Sequence, residues 1–163
     1  MIAECLDRVA GGRNFDLRIA EEQRIHPRTR RMLAAVVAIL CAELVVGTSA
    51  IVVVVILTLG GEPVAWAVWF RGLVVLGITV TLFYFVWRAG AGYYWAYSRL
   101  RLFSVIFPIV TLSIAIIPGF FPFWMIAQQV VFSVLLMGVA GVLQTAHMRE
   151  VFAKPARREL NQA

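Results

Sequence analysis

Charged and amide side chains interrupt the long apolar runs of this sequence at only a few positions. Glu43 and Arg71 each lie inside such a run, and Gln128 and Gln129 lie side by side in another. A charge in apolar surroundings is costly, so such residues are usually paired and often functional. We therefore predict an intramembrane polar pair of Glu43 and Arg71, with Gln128 and Gln129 as a possible polar path beside it.

Two roles are open for this pair. Counting residues from Arg31 and from Arg88 predicts that Glu43 and Arg71 differ in depth by about 7 Å, at 1.5 Å per residue. A long arginine side chain can span that difference and form a buried ion pair that fixes helix register. Loss of either partner would then destabilise the protein. If the site is functional instead, Glu43→Gln should fold normally and abolish activity.

The other reactive residue types favour neither catalysis nor metal binding. His26 and His147 are both expected near one membrane boundary, as interfacial residues. Cys5 and Cys41 form no CxxC motif, and no disulfide is expected between them. The sequence has no acidic cluster of the kind that holds Mg²⁺. We therefore expect a protein that is not an enzyme and that has no cofactor and no metal ion.

The elements that carry these residues are expected to be membrane-spanning helices. Apolar residues make up 61% of the 163-residue chain. A run of about 20 apolar residues crosses the hydrocarbon layer, and backbone groups in lipid must be paired within their own helix. The predicted spans are Met32–Leu59, Val64–Trp87, Leu102–Ile117 and Phe120–Leu143.

Short breaker clusters connect these spans in pairs. Gly60-Gly61-Glu62-Pro63 separates the first two, and a Pro-Gly-Phe-Phe-Pro turn at 118–122 separates the last two. The predicted fold class is thus an all-α integral membrane protein, whose four transmembrane helices form two antiparallel hairpins. The predicted parts are an N-terminal segment over 1–31 with a short helix, a four-span bundle over 32–147 and a basic tail over 148–163.

Basic residues predict the orientation of this bundle. Fourteen of the 15 Lys and Arg residues lie before the first span, around the middle connection or in the tail, and Arg71 is the exception. The positive-inside rule makes that side the cytoplasm. We expect a multi-pass protein of a bacterial-type inner membrane with both termini cytoplasmic. The net charge of +6 is then a topological feature, and no nucleic-acid partner is expected.

The connection between the second and third spans combines basic and aromatic residues. Arg88, Arg99 and Arg101 flank a segment that contains Tyr93, Tyr94, Trp95 and Tyr97. Such residues gather at headgroup depth. We expect Ala89–Ser98 to lie in the headgroup layer, and the three arginines to contact anionic lipid headgroups.

Two further patterns bear on contacts with partners. Asp16–Ile25 is expected to be an exposed helix that ends before Pro27, either solvated or docked on a partner. Small residues form a row at Ala34, Ala38 and Ala42 on the first span, and such rows let helices approach closely. The neighbour is either another span of this chain or a different protein.

One short segment resembles a known family. Ala38-Ile39-Leu40-Cys41-Ala42-Glu43 is similar to the segment around the membrane-embedded glutamate of small multidrug resistance transporters. The resemblance covers six residues and implies alternate binding of a proton and a cation at Glu43. This chain departs from that family by its long charged N-terminus and by Arg71.

The expected function follows from these patterns. We expect a non-catalytic accessory or assembly subunit of a larger membrane complex, which binds other membrane subunits or a second copy of itself. The alternative is a small transporter or channel that uses Glu43, Arg71 and Gln128.

Overall fold

The computed structural model describes residues 17–19, 21–115 and 122–153, and these residues are helical over most of their length. The helices are α1 (Glu21–Ile25), α2 (Pro27–Leu59), α3 (Trp66–Gly90), α4 (Tyr94–Ala115), α5 (Phe123–Leu143) and α6 (Ala146–Val151). The helices α2, α3, α4 and α5 are each long and apolar enough to cross a membrane. The expected all-helical membrane fold is therefore confirmed at this level, and the turn predicted at 118–122 lies mostly outside the described residues.

The bounds of α2 follow from its terminal residues. Pro27 stands in the first turn, where its missing N–H is not needed. His26 caps the helix, since its side chain accepts a hydrogen bond from the backbone N–H of Arg28. At the other end, Gly60 is the C-cap and Gly61 has a φ of 80°, which favours glycine. The helix therefore starts five residues before the predicted Met32 and ends at the predicted Leu59.

The third span differs most from its prediction. We expected Leu102–Ile117, but α4 begins at Tyr94 and has 22 residues. At 1.5 Å per residue this length is about 33 Å, which is enough to cross a hydrocarbon layer of ~30 Å. The long loop predicted between Arg88 and Arg101 is thus a short turn, and Arg99 and Arg101 belong to α4.

The four long helices pack in a ring. Helix α2 packs against α3, α3 against α4, α4 against α5, and α5 against α2. The main apolar core lies inside this ring and includes Leu40, Leu82, Leu100, Phe132 and Leu136. A smaller cluster of Val54, Val68 and Met125 closes the end of the ring nearest the 60–65 turn. Helices α3 and α5 are opposite each other in this arrangement, as are α2 and α4.

The other end of the ring gathers the described terminal segments, and we call it the basic end. Ile19 donates its backbone N–H to the carbonyl of Gly92 at 3.0 Å, and Tyr94 donates to the carbonyl of Leu17 at 3.1 Å. Residues 17–19 are therefore extended and pair with the α3–α4 turn. The helix predicted over Asp16–Ile25 is wrong at residues 17–19, which are extended, and confirmed at Glu21–Ile25, while Ala20 is not among the described residues. Asp16 lies outside the described residues.

This pairing has a local cause. Gly92 has a φ of 92°, a conformation that favours glycine in the tight turn between α3 and α4. Ile19 lies against the turn, 3.4 Å from the position that a Cβ of Gly92 would occupy. The guanidinium of Arg18 lies 4.6 Å from the centre of the Tyr93 ring and donates to its hydroxyl at 2.8 Å. Residues 17–19 are thus held on the bundle by backbone and side-chain contacts.

Candidate intramembrane polar site

Arg71 and Gln129 form the central polar contact inside the ring. The Arg71 guanidinium donates a hydrogen bond to Oε1 of Gln129. Arg71 is on α3 and Gln129 is on α5, so this bond crosses the bundle between two helices that are opposite each other. Gln129 is buried and its amide group donates in turn to the hydroxyl of Ser133 at 3.3 Å. One nitrogen of the guanidinium is thus stabilised by the Gln129 amide, which is itself oriented by the Ser133 hydroxyl.

Gln128 makes a separate contact with a neighbouring helix. Its amide group donates to the backbone carbonyl of Val46 on α2 at 3.3 Å. Gln128, Gln129 and Arg71 line a cavity of about 20 Å³ together with Gly47. A cavity needs about 10–15 Å³ to hold one water molecule. The site therefore accommodates about one water and not a hydrated ion, so the arrangement is a closed polar centre.

Glu43 is buried one helical turn from this cavity. Its side chain has no exposed surface, and neither carboxylate oxygen has a hydrogen-bond partner among the described residues. Leu40, one turn earlier on the same face of α2, belongs to the apolar core. Glu43 thus projects into a predominantly apolar interior, where a polar group without a partner is destabilising by about 1–3 kcal/mol.

The register of α2 against α3 explains why Arg71 pairs with Gln129 and not with Glu43. A Cβ at Gly72 would lie 2.5 Å from Cδ1 of Ile51, so these two residues are at the same level. Glu43 is eight residues before Ile51 on α2, which corresponds to about 12 Å along the axis. The depth difference is therefore larger than the 7 Å expected from the helix ends. The predicted direct ion pair between Glu43 and Arg71 is not among the contacts of the described chain.

The three arginines predicted to contact headgroups have different surroundings. Arg88 lies over aromatic rings, 4.9 Å from the ring centre of Trp87 and 5.1 Å from that of Tyr93. Arg99 is exposed, and Arg101 is half-buried at the edge of a cleft that it shares with Arg149. All three lie at the basic end, and their contact with lipid stays a prediction.

The aromatic segment beside these arginines is partly buried inside the bundle. The headgroup depth expected for Ala89–Ser98 stays a prediction, and within this segment Trp95 and Tyr97 are 2% and 4% exposed and belong to the core. Tyr97 donates a 2.6 Å hydrogen bond to the carbonyl of Leu143 at the end of α5. Its ring stacks on Phe152, with 4.2 Å between the ring centres. These rings therefore hold α4, α5 and the C-terminal residues together.

Sequence reasoning missed one further contact at the basic end. The hydroxyl of Thr29 and Nε2 of His147 are 3.0 Å apart, and the rings of His26 and His147 have centres 5.5 Å apart. The spacing of 118 residues between Thr29 and His147 left no local pattern to find. Within 17–19, 21–115 and 122–153, no group of three His, Cys, Asp or Glu side chains is placed to hold a metal ion.

Comparison of the chain with protein-family models, with curated proteins and with solved structures gives no match. The functional argument therefore rests on the residues of this chain.

Proposed function

We propose that this chain is a non-catalytic accessory or assembly subunit of a larger membrane complex. The observation that carries the proposal is the outward face of α2. Its exposed residues from the start of the apolar run to mid-span have side chains no larger than valine. They are Ala34, Ala35, Val37, Ala38, Cys41, Ala42, Val45, Thr48 and Ser49.

The exposed faces of α3 and α4 differ in character, whereas that of α5 is also rich in small residues such as Ala127, Val130 and Val134. On α3 the exposed residues include Trp66, Phe70 and Leu73, and on α4 they include Leu102 and Ile109. Large apolar side chains suit contact with lipid tails. Small side chains let another helix approach closely, and close packing is what drives helix association in lipid. The small side chains on the outward face of α2 therefore support a helix of a second protein as its neighbour.

The proposal includes a topology. Both described terminal segments lie at the basic end, and we infer that this end faces the cytoplasm of a bacterial-type inner membrane. The long helices then form two antiparallel hairpins. Reporters near Gly12 or after Ala163 are expected to read cytoplasmic, and reporters at Gly61 or Gly119 external. An inaccessible Gly119 would contradict the second hairpin.

The test of the subunit role uses two exposed alanines. Wild-type protein is purified from its native membranes in mild detergent, and the particle is sized by light scattering and its chains identified. We expect a fixed ratio of this chain to a different membrane protein. Ala38→Leu with Ala42→Leu should yield the chain alone, while Ala127→Leu on the exposed face of α5 should keep the complex. A monomeric wild-type particle, or equal loss in the control, would refute the proposal.

A second candidate is a small transporter or channel. It is favoured by Glu43, a buried carboxyl with no hydrogen-bond partner in the described chain, which is suited to bind a proton. The polar path would include Arg71 and Gln128. In proteoliposomes, this candidate requires proton or cation flux that Glu43→Gln abolishes without loss of fold. The cavity of about 20 Å³ supports a closed bundle instead, which is why we place this function second.

A further inference from the structure

A groove opens between α2 and α3 at the basic end of the bundle. It has a volume of about 530 Å³, within the range of sites that hold small molecules. Leu33 and Val37 of α2 form one wall, and Phe83 and Val86 of α3 form the other. These are the first apolar turn of α2 and the last apolar turns of α3, so the walls lie at the level where acyl chains begin.

The mouth of this α2–α3 groove is basic. Arg24 lines it, and its guanidinium is oriented by a hydrogen bond to the carbonyl of Ala91 at 3.4 Å. An adjoining cavity of about 400 Å³ shares Arg24 and Leu33 and adds Arg30. Of the described residues that line the two cavities, none is acidic. The guanidinium groups of Arg24 and Arg30 thus lie at the mouth of an apolar groove.

The groove is open because its edge carries small residues. Gly90 lines both cavities, and a Cβ at Gly90 would meet no heavy atom within 4 Å. Trp87 stands at the rim with 62% of its surface exposed, as is typical of indole rings at headgroup depth. The rim, the mouth and the walls therefore follow the order of a phospholipid, from headgroup to acyl chain.

We propose that the α2–α3 groove binds one anionic phospholipid. Its phosphate contacts Arg24 and Arg30, and one acyl chain lies along the wall from Leu33 to Val37. Basic pockets between membrane helices bind such headgroups by charge and hydrogen bonds. The cleft at Arg101 and Arg149 is less suited to an anion, because the carboxylate of Glu150 also lines it.

The experiment counts lipid bound to the purified full-length protein. The protein in detergent is titrated with dioleoylphosphatidylglycerol or dioleoylphosphatidylcholine, and bound lipid is measured by native mass spectrometry. We expect one phosphatidylglycerol to be retained in preference to phosphatidylcholine. Arg24→Gln and Arg30→Gln should each weaken this binding by about fivefold, the effect of one basic residue near an anionic surface. Arg149→Gln, also an exposed arginine of the basic end, should leave it unchanged.

A second pair of variants tests whether lipid occupies the α2–α3 groove, without changing the charge of the protein. Gly90→Phe should fill the groove and abolish the preference for phosphatidylglycerol. Gly141→Phe is the matched control, since Gly141 is exposed and a Cβ there would also meet nothing within 4 Å. Retained preference in Gly90→Phe, or equal losses in Arg24→Gln and Arg149→Gln, would overturn the proposal. Arg24 is exposed, so its result stands even if Gly90→Phe folds poorly.

The proposal of a lipid site and the proposal of a subunit role are refuted by different results. Ala34 and Val37 belong to both surfaces, but Ala38 and Ala42 line neither cavity, so Ala38→Leu with Ala42→Leu should lose partner binding and leave the lipid count unchanged. Arg24→Gln should lose the bound lipid, because Arg24 lines the groove. The protein composition of the purified particle should stay unchanged.

Discussion

Arg71 on α3 donates a hydrogen bond to Gln129 on α5, across the centre of the ring. The packing of side chains positions neighbouring helices. A hydrogen bond between opposite helices also fixes their relative depth. Ser133 extends the relay from Gln129 along α5. The contact therefore selects one register of the bundle among those that apolar packing would allow.

The first prediction concerns this contact. Gln129→Ala leaves the Arg71 guanidinium with one acceptor fewer, and we expect a loss of about 1–2 kcal/mol in the free energy of unfolding, because bonds to charged donors exceed neutral ones. Hydrogen bonds between membrane helices average only about 0.6 kcal/mol. Gln128→Ala, which removes a bond to a backbone carbonyl, should stay near that smaller value. Equilibrium unfolding in mixed micelles, followed by circular dichroism, measures both.

A double variant tests the same contact by replacing both of its partners. Arg71→Leu with Gln129→Leu removes both groups of this hydrogen bond, although Ser133 also loses its donor from Gln129. Replacing both members of a buried pair by apolar residues is often nearly neutral. We expect the double variant to be more stable than Arg71→Leu alone. An additive loss would mean that the two side chains are not coupled.

The second prediction concerns Glu43. An unpaired buried carboxyl and a buried ion pair predict opposite effects of its replacement on the free energy of unfolding. Because neither carboxylate oxygen has a partner in the described chain, Glu43→Leu should raise the free energy of unfolding by about 1–3 kcal/mol. Leu40→Ala on the same face should lower it by about 2–5 kcal/mol, as expected for a core truncation. Destabilisation by Glu43→Leu would show that the carboxyl has a compensating contact. The unfolding assay described for Gln129 applies here.

The sequence predicts the four helices better than it predicts the contacts between them. Long apolar runs and the Gly60-Gly61-Glu62-Pro63 breaker are local, so the existence of the spans and the end of α2 at Leu59 follow directly. The start of α4 was missed because Tyr, Trp and Arg residues near 93–101 are typical of a loop at the interface. Burial of Trp95 and Tyr97 against distant residues overrides that local preference.

The polar site was predicted by residue but not by partner. Glu43, Arg71, Gln128 and Gln129 stand out because charge and amide groups are rare in apolar runs. Which of them meet depends on helix order and on the register of α2 against α3, and counting from the helix ends cannot supply that register. The approach of Gly72 to Ile51 does supply it, and it separates Glu43 from Arg71.

The third prediction tests the docking of Phe152, which follows α6, on α4. Phe152 is 2% exposed and stacks on Tyr97. Phe152→Ala should lower the free energy of unfolding by about 3–5 kcal/mol, the usual cost of truncating a buried aromatic residue. Phe123 is 84% exposed, so Phe123→Ala is the matched control and should change stability little. Similar effects from the two variants would contradict the burial of Phe152.

The last prediction tests the close approach of α2 and α3. A Cβ at Gly72 would lie 2.5 Å from Cδ1 of Ile51, whereas a Cβ at Gly77 on the same helix would meet nothing within 4 Å. Gly72→Ala should therefore lower the free energy of unfolding by about 1 kcal/mol, at the low end for overpacking because Cδ1 is the flexible tip of its side chain. Gly77→Ala should be neutral or slightly stabilising, since alanine favours helix. Ile51→Val removes Cδ1, so Gly72→Ala should cost less in an Ile51→Val background. If Gly72→Ala and Gly77→Ala behave alike, or if Ile51→Val gives no rescue, the register that separates Glu43 from Arg71 is wrong.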